Sequence, residues 1–293
     1  MDVHPIIKIA GKNLPPALLE IPQPPKSLYL QGNLPSVTEN IFLAIVGSRK
    51  FSAYGREACE QLIAGLAGYP IVIVSGLALG IDTIAHQSAL KAGLKTVAIP
   101  GSGLDRRVLY PSINRRLAEG ILEAGGCLLS ESEPTERATV WSFPKRNRIM
   151  AGLSQAVLVI EATEKSGTLI TARMALDYNR DVLAVPGSIF NPGSFGTNRL
   201  IKQGATPITS SADLLEALHF DLTEKNSSGR QEELFADLSA PEKKIVDILK
   251  IEPLPRDELV RQAGLSVSEG NSVLMILEIK GLIKESGGEI RIV

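Results

Sequence analysis

The sequence predicts an α/β fold: a doubly wound, Rossmann-like, mostly parallel sheet followed by a small winged-helix domain. Three observations carry that prediction. From residue 41 onward, short apolar runs without polar alternation take turns with amphipathic stretches, the pattern of strands buried on both faces beneath helices. Most of these runs pass directly into Gly or Ser, at Gly47-Ser48, Ser75-Gly76, Gly101-Ser102-Gly103 and Gly187-Ser188. A polar break at residues 221–238 then separates a tail whose pattern is helical three times and strand-like at its end.

In chain order, residues 1–40 carry prolines at positions 15, 16, 22, 24 and 25 and no sustained period, so they are expected to wrap the first strand as an extended arm. Residues 41–220 form the Rossmann-like domain. Its strands are expected at Ile41 to Val46, Ile71 to Val74, Thr96 to Ile99, Cys127 to Leu129, Ala156 to Ile160 and Val182 to Val185. Helices fill the gaps, at Tyr54 to Leu66, Ile81 to Ala92, Ile113 to Ala124, Arg148 to Leu153, Leu169 to Tyr178 and Ser194 to Gln203. Residues 221–238 read as a linker, centred on Lys225-Asn226-Ser227-Ser228-Gly229-Arg230.

Residues 239–293 open on Ser239-Ala240-Pro241-Glu242, a helix start with Ser as N-cap and an acid in the first turn. A second helix spans Arg256 to Gln262, a third carries Val273, Ile276 and Leu277 on one face, and a Gly287-Gly288 turn joins two short strands. This is a winged-helix pattern, whose third helix usually reads duplex DNA. Charge argues otherwise here, because eight Lys/Arg face nine Asp/Glu and the third helix carries Glu269 and Glu278. A neutral module with an acidic reading helix gains little from phosphates, which favours a role in interaction or structure.

Composition sets outer bounds. With 293 residues and 44% apolar content the chain can bury a large core and a small one. The formal charge is −1, so any polyanion-binding surface must be a local concentration of cations. Two cysteines amid apolar residues, Cys59 and Cys127, fit buried thiols in a reducing compartment. No apolar run reaches membrane-spanning length and no secretory leader pattern opens the chain. A cytoplasmic protein without membrane contact is the expectation.

In open α/β sheets ligands bind at the carboxyl ends of strands, where small residues let N–H groups approach phosphates. Gly47-Ser48-Arg49 follows the first parallel strand at that edge, and the Arg49 fork matches phosphate oxygens; the alternative is a turn with a surface ion pair. Phe143-Pro144-Lys145-Arg146-Asn147-Arg148 places cations at a helix start, where they oppose the helix dipole unless an external anion compensates them. Phe143 reads equally as a core anchor or as a platform for an unpaired base. Ser166-Gly167-Thr168 is either an ordinary helix cap or a cradle of amides for phosphate. The loop with Arg106, Arg107, Arg115 and Arg116 could rim a DNA groove, and Lys202 could contribute or simply favour its helix dipole. Asp82 and His86, one helical turn apart, read as structural rather than catalytic. Together Arg49, the Lys145 to Arg148 tract and the Ser166-Gly167 backbone predict one basic groove for a polyanion, with nucleic acid the expected class.

Further motifs run in a fixed order: Val46-Gly47-Ser48-Arg49 with Tyr54-Gly55, Ser75 to Asp82 with Ala85-His86, and Gly101-Ser102-Gly103-Leu104-Asp105. Then come Tyr110-Pro111 with Asn114, Ser130-Glu131, Phe143 to Ser154, Ser166 to Ala172 and Pro186-Gly187-Ser188. In this order they resemble the bacterial DNA-processing protein A family, also called DprA or Smf, over residues 28 to about 220, and the tail resembles that family's C-terminal domain. The resemblance implies a non-enzymatic single-stranded DNA-binding protein that protects incoming strands and loads the RecA recombinase in natural transformation and recombination. It also implies a homodimer through the Rossmann-like domain. Many members carry a helical domain ahead of that fold, for which this chain leaves no room.

Two enzyme classes share the architecture. A dinucleotide-dependent oxidoreductase needs G-x-G-x-x-G after the first strand, which is absent. A phosphoribohydrolase resembling the lysine-decarboxylase-like proteins is the better rival, yet its Pro-Gly-Gly-x-Gly-Thr-x-x-Glu signature is replaced by Glu161 to Thr168, and Leu169 to Arg180 offers only Asp177 in place of the glutamate. No catalysis, metal or cofactor is expected.

Overall fold

The structure is a computed structural model and describes residues 4–220, 238–286 and 288–292. The chain divides into two compact units, residues 1–221 and 222–293.

The first unit is built on one nine-stranded sheet. Its strands are β1 (Ile6–Ala10), β2 (Ser27–Gly32), β3 (Ile41–Val46), β4 (Ile71–Ser75), β5 (Thr96–Ala98), β6 (Cys127–Ser130), β7 (Ala156–Val159), β8 (Asp181–Ala184) and β9 (Thr206–Pro207), in the order β1-β2-β6-β5-β4-β3-β7-β8-β9. From β6 to β9 every pairing is parallel, as continuous apolar runs require of strands covered on both faces. The chain steps outward from β3 through β4, β5 and β6, then returns to lay β7 on the other side of β3. The sheet therefore changes direction between β3 and β7, and a crevice opens at the carboxyl ends of such strands.

Helices α2 (Ala53–Ala64), α3 (Ile81–Lys91) and α4 (Arg115–Glu123) connect the first series of strands. Helices α5 (Ser142–Leu153), α6 (Thr168–Asp177) and α7 (Phe195–Lys202) follow, and α8 (Ser211–Ala217) closes the unit behind a Ser210/Asp213 capping box. Phe42, Ala44 and Val46 share a core with Ile149, Met150, Leu153, Ala172 and Ala175, so α5 and α6 cover one face across β3 and β7. Cys59 and Cys127 are free and buried, and burial pushes both thiols up. No helix among the described residues is long and apolar enough to cross a membrane.

The first forty residues depart from the expected arm around the first strand. β1 and β2 pair antiparallel, and β2 pairs antiparallel with β6, so they extend the sheet on the side away from β7. Between them the prolines bracket the short helix α1 (Pro16–Leu19), with Pro16 at its first position, where a missing N–H costs nothing. Leu14, Leu18 and Ile21 enter the main core there. A second departure concerns α5, which begins at Ser142 rather than Arg148, so the whole basic tract is helical. Pro144 falls in the first turn, where proline is tolerated.

In the second unit α9 (Ala240–Leu249), α10 (Arg256–Gln262) and α11 (Val267–Ile279) precede an antiparallel pair, β10 (Ile283–Ser286) and β11 (Glu289–Ile292). Its core holds Ile245, Leu249, Leu259, Leu274, Leu277, Ile283 and Ile290. Ile276, expected inward, is half-exposed, and Val267, Met275 and Ile279 are exposed beside it on α11. Ser266 caps that helix in a capping box with Glu269, Lys280 pairs with the buried Glu242, and Arg256 pairs with Glu278 and Glu285. The expected linker, apart from Leu238, lies outside the described residues.

Candidate nucleic-acid interface

Where the sheet changes direction, β3 runs into Gly47-Ser48-Arg49-Lys50 before α2 begins, with Ser52 as its N-cap. The turn is held from behind by the start of α3: the Ile81 amide donates to the Ser48 carbonyl at 3.2 Å. Gly80 makes that approach possible, because its φ of +88° favours glycine and a Cβ there would stand 2.4 Å from the Ser48 carbonyl oxygen. Arg49 projects to the surface with its guanidinium 5.0 Å from the centroid of the Phe143 ring. Phe143 in turn packs against Tyr110, centroids 5.8 Å apart and rings inclined by 58°. The result is a cation–aromatic–aromatic stack at the cleft edge.

Arg146, one turn further along α5, points inward. It is 8% exposed and donates to the Ile99 carbonyl at 2.6 Å. The guanidinium lies directly on Gly76, where a Cβ would fall 1.6 Å from Nη1, so only glycine leaves room for it. Burial draws this guanidinium down to about 10, with buried Asp82 opposing and Arg49 adding to the shift. Burial likewise raises the Asp82 carboxyl against the pull of Arg146. His86, next along α3, is fully buried and shares a 2.7 Å hydrogen bond through Nδ1 with the Thr96 hydroxyl, which donates to Ile73. Because the Thr96 proton goes to Ile73, Nδ1–H is the donor to the Thr96 hydroxyl.

Burial, with Arg146 adding, lowers His86 to about 3. In the unfolded chain a histidine takes up its proton near 6.5. Between those values the unfolded state binds more protons, so stability falls as pH drops through the window. Asp82 works in the opposite sense, since its raised carboxyl stabilises the fold when protonated and loses that contribution as pH rises. The clean measurement is the difference between wild type and His86→Gln in denaturant unfolding from pH 7 to 4. Wild type should lose stability more steeply, and parallel curves would contradict a neutral buried imidazole.

On the far side of the cleft, Ser166-Gly167-Thr168 opens α6. The Ser166 hydroxyl meets the Thr168 hydroxyl at 3.0 Å and accepts from the Thr168 amide at 3.3 Å, while the Leu169 amide donates to the Ser166 carbonyl and the Ile170 amide to the Gly167 carbonyl. Gly167 faces open space. These bonds occupy the first three amides of α6, so this wall offers a ligand its small hydroxyl side chains and the open surface over Gly167 rather than free helix-start amides. The cleft between these elements measures about 480 Å³ and is lined by Gly47, Ser48, Arg49, Phe143, Arg146, Asn147, Ser166, Gly167 and Thr168 among others. Nine of the expected binding residues thus converge. Lys50 joins them, readable in sequence as the cation after Arg49, and so does Asp82, which only the tertiary approach of Arg146 explains.

The remaining expected residues lie elsewhere. Arg148 is 7% exposed, donates to the Gln23 carbonyl at 2.6 Å and forks onto both Glu131 oxygens at 2.5 and 2.6 Å. It is held inside the fold and does not face the cleft, because a helix turns adjacent cations to different sides. Lys145 is exposed but 3.5 Å from Glu131, over a neighbouring shallow cleft. Arg106 pairs with Glu119 at 2.7 Å and Arg115 donates to the Arg107 carbonyl, both in a separate groove of about 640 Å³. That groove is larger, but its arginines stand among Asp105, Glu119 and Glu123, so its charge is balanced. Lys202 is exposed in the last turn of α7, outside the cleft lining.

Residues 5–219 match the DNA recombination-mediator protein A family and residues 231–289 match the DprA winged helix domain. Protein Smf of Escherichia coli is 38% identical over 295 residues, covering 99% of this chain and 78% of that protein. The X-ray structure of DNA processing protein A from Streptococcus pneumoniae superposes with a TM-score of 0.67 at 42% identity, over 72% of this chain and 74% of that one. A Helicobacter pylori structure, giving insight into the unique single-stranded DNA binding mode of its DNA processing protein A, superposes with a TM-score of 0.65 at 33% identity, over 72% of this chain and 95% of that one. By these matches, over both of its units, the chain belongs to the DNA recombination-mediator protein A family.

Proposed function

We propose that this protein binds single-stranded DNA across the cleft between the β3 turn and the start of α6, and delivers the strand to the RecA recombinase in transformation and recombination. The observation that carries the reading is the cleft itself: an open, cation-bearing crevice at the point where the sheet changes direction, with an aromatic stack on one wall and the small residues Ser166-Gly167-Thr168 on the other. Arg49 and Lys50 suit phosphates, and the stack suits unpaired bases, which present free π-faces. A duplex keeps its bases stacked on each other and gains only the phosphate interactions. The binding mode described for the Helicobacter pylori relative supports the same reading. Two copies joined through the first unit would set two clefts on one strand and raise affinity by effective concentration.

The winged-helix unit is assigned to protein contact. Its third helix presents apolar Val267, Met275 and Ile279 outward, and its basic side chains Arg256 and Lys280 are paired with acids. The reading of the protein as a binder rather than a phosphoribohydrolase rests on the cleft's carboxylate: the one among its lining residues is Asp82, buried beside Arg146.

Fluorescence anisotropy of a labelled oligonucleotide, single-stranded against matched duplex across a salt series, tests the proposal. Single strands should bind more tightly, with a log–log salt slope of about −0.7 per phosphate neutralised. Absence of single-strand binding at low salt, or ribose release from AMP, would overturn it.

A further inference from the structure

Trp141 is the chain's one tryptophan and stands 84% exposed, beside Val140 at 81%. It occupies the N-cap of α5 and makes no side-chain capping bond. Helices favour Ser, Thr, Asp or Asn there because those side chains satisfy a free amide. An indole contributes nothing to the helix, and at this exposure it contributes almost nothing to the core. A residue that breaks a local rule without structural gain marks a place to look for function.

The backbone around it is firmly held. The Thr139 amide donates to the Ser142 hydroxyl at 3.0 Å, the Ser142 amide donates to the Thr139 carbonyl at 3.2 Å, and the Ser142 hydroxyl reaches the Gly101 carbonyl at 2.5 Å. Two residues further on, Phe143 stands between Arg49 and Tyr110 in the stack at the cleft edge. Two residues of chain span at most ~7 Å, so the indole lies within reach of a base next to the one at Phe143.

We propose that Trp141 is a base-stacking residue, extending the path of a single DNA strand beyond the Arg49–Phe143–Tyr110 stack. This rests on the proposed reading of the cleft as a single-strand site. The occupant follows from continuity: the exposed ring is carried two residues before Phe143 of a cation-bearing aromatic wall, and cations beside aromatic faces match a strand's phosphates and bases. Stacking is indifferent to base identity, so Trp141 adds affinity and site length without sequence preference.

A single tryptophan makes the protein its own reporter. Selective excitation of the full chain while adding unlabelled oligothymidylate should quench the emission along the same isotherm as anisotropy of a labelled strand. An abasic strand of equal length should bind more weakly and leave the emission unchanged. Trp141→Ala should weaken oligothymidylate binding about tenfold to a hundredfold at an unaltered salt slope, Trp141→Phe should retain most of the affinity, and neither should shift the melting temperature. Saturable binding with unchanged tryptophan emission, or Trp141→Ala at wild-type affinity, overturns the stacking role while leaving the cleft reading in place. No binding of any strand by the wild type overturns the cleft reading and this proposal with it.

Discussion

Arg49→Ala is expected to lower the affinity for single-stranded DNA about tenfold to a hundredfold and to flatten the salt dependence by about 0.7 for each phosphate that is no longer neutralised. Arg49 is exposed, has no ion pair among the described residues, and is carried on a turn fixed from behind by Gly80 and Ile81. Its fork is therefore placed in advance, and the strand bears little of the entropy of ordering it. Arg49→Lys separates charge from shape, since lysine keeps the charge and so the salt slope, but loses bidentate geometry and stacking on Phe143. Its affinity should fall between wild type and Arg49→Ala. Because Arg49 and Phe143 touch, Arg49→Ala with Phe143→Ala should cost less than the sum of the single changes. Unfolding of Arg49→Ala should match wild type, as expected of an exposed side chain. Wild-type affinity and slope in Arg49→Ala would remove the residue from the interface.

The parallel part of the fold was legible because strands buried on both faces leave an unambiguous trace: Ile71 to Ser75 and Ala156 to Val159 contain nothing that must face water. β1 and β2 were not, because prolines lie between them and β1 mixes exposed with buried positions at the sheet edge. The ligand edge was legible for the same reason as the strands, since the residue type after each strand end is a local property. The assignment of individual cations was not. In the run from Lys145 to Arg148 the sequence shows three similar basic residues, and the structure gives them three different surroundings. Arg146 is settled by the absence of a side chain at Gly76, Arg148 by Glu131 after β6, and Lys145 by what the other two leave. These partners come from distant segments, and no local period encodes them.

That difference yields the largest expected effect on stability. Arg148→Ala should destabilise the first unit by about 2–4 kcal/mol, since it removes the buried half of a doubly hydrogen-bonded ion pair and leaves the part-buried Glu131 carboxylate with only the exposed Lys145. The Gln23 carbonyl is deprived of its donor as well, which loosens the segment between α1 and β2. For a unit of this size the change corresponds to a fall of roughly 10 °C in melting temperature. Removing both partners, as in Arg148→Met with Glu131→Leu, should cost far less, because no unpaired charge remains. Strand binding provides the contrast: below its melting temperature Arg148→Ala should keep the wild-type salt slope, since every phosphate keeps its cation. A direct DNA role for Arg148 predicts the reverse, with unchanged melting and a shallower slope. Measuring melting and slope on Arg49→Ala and Arg148→Ala together therefore separates the cation that meets the strand from the cation that holds the helix presenting Phe143.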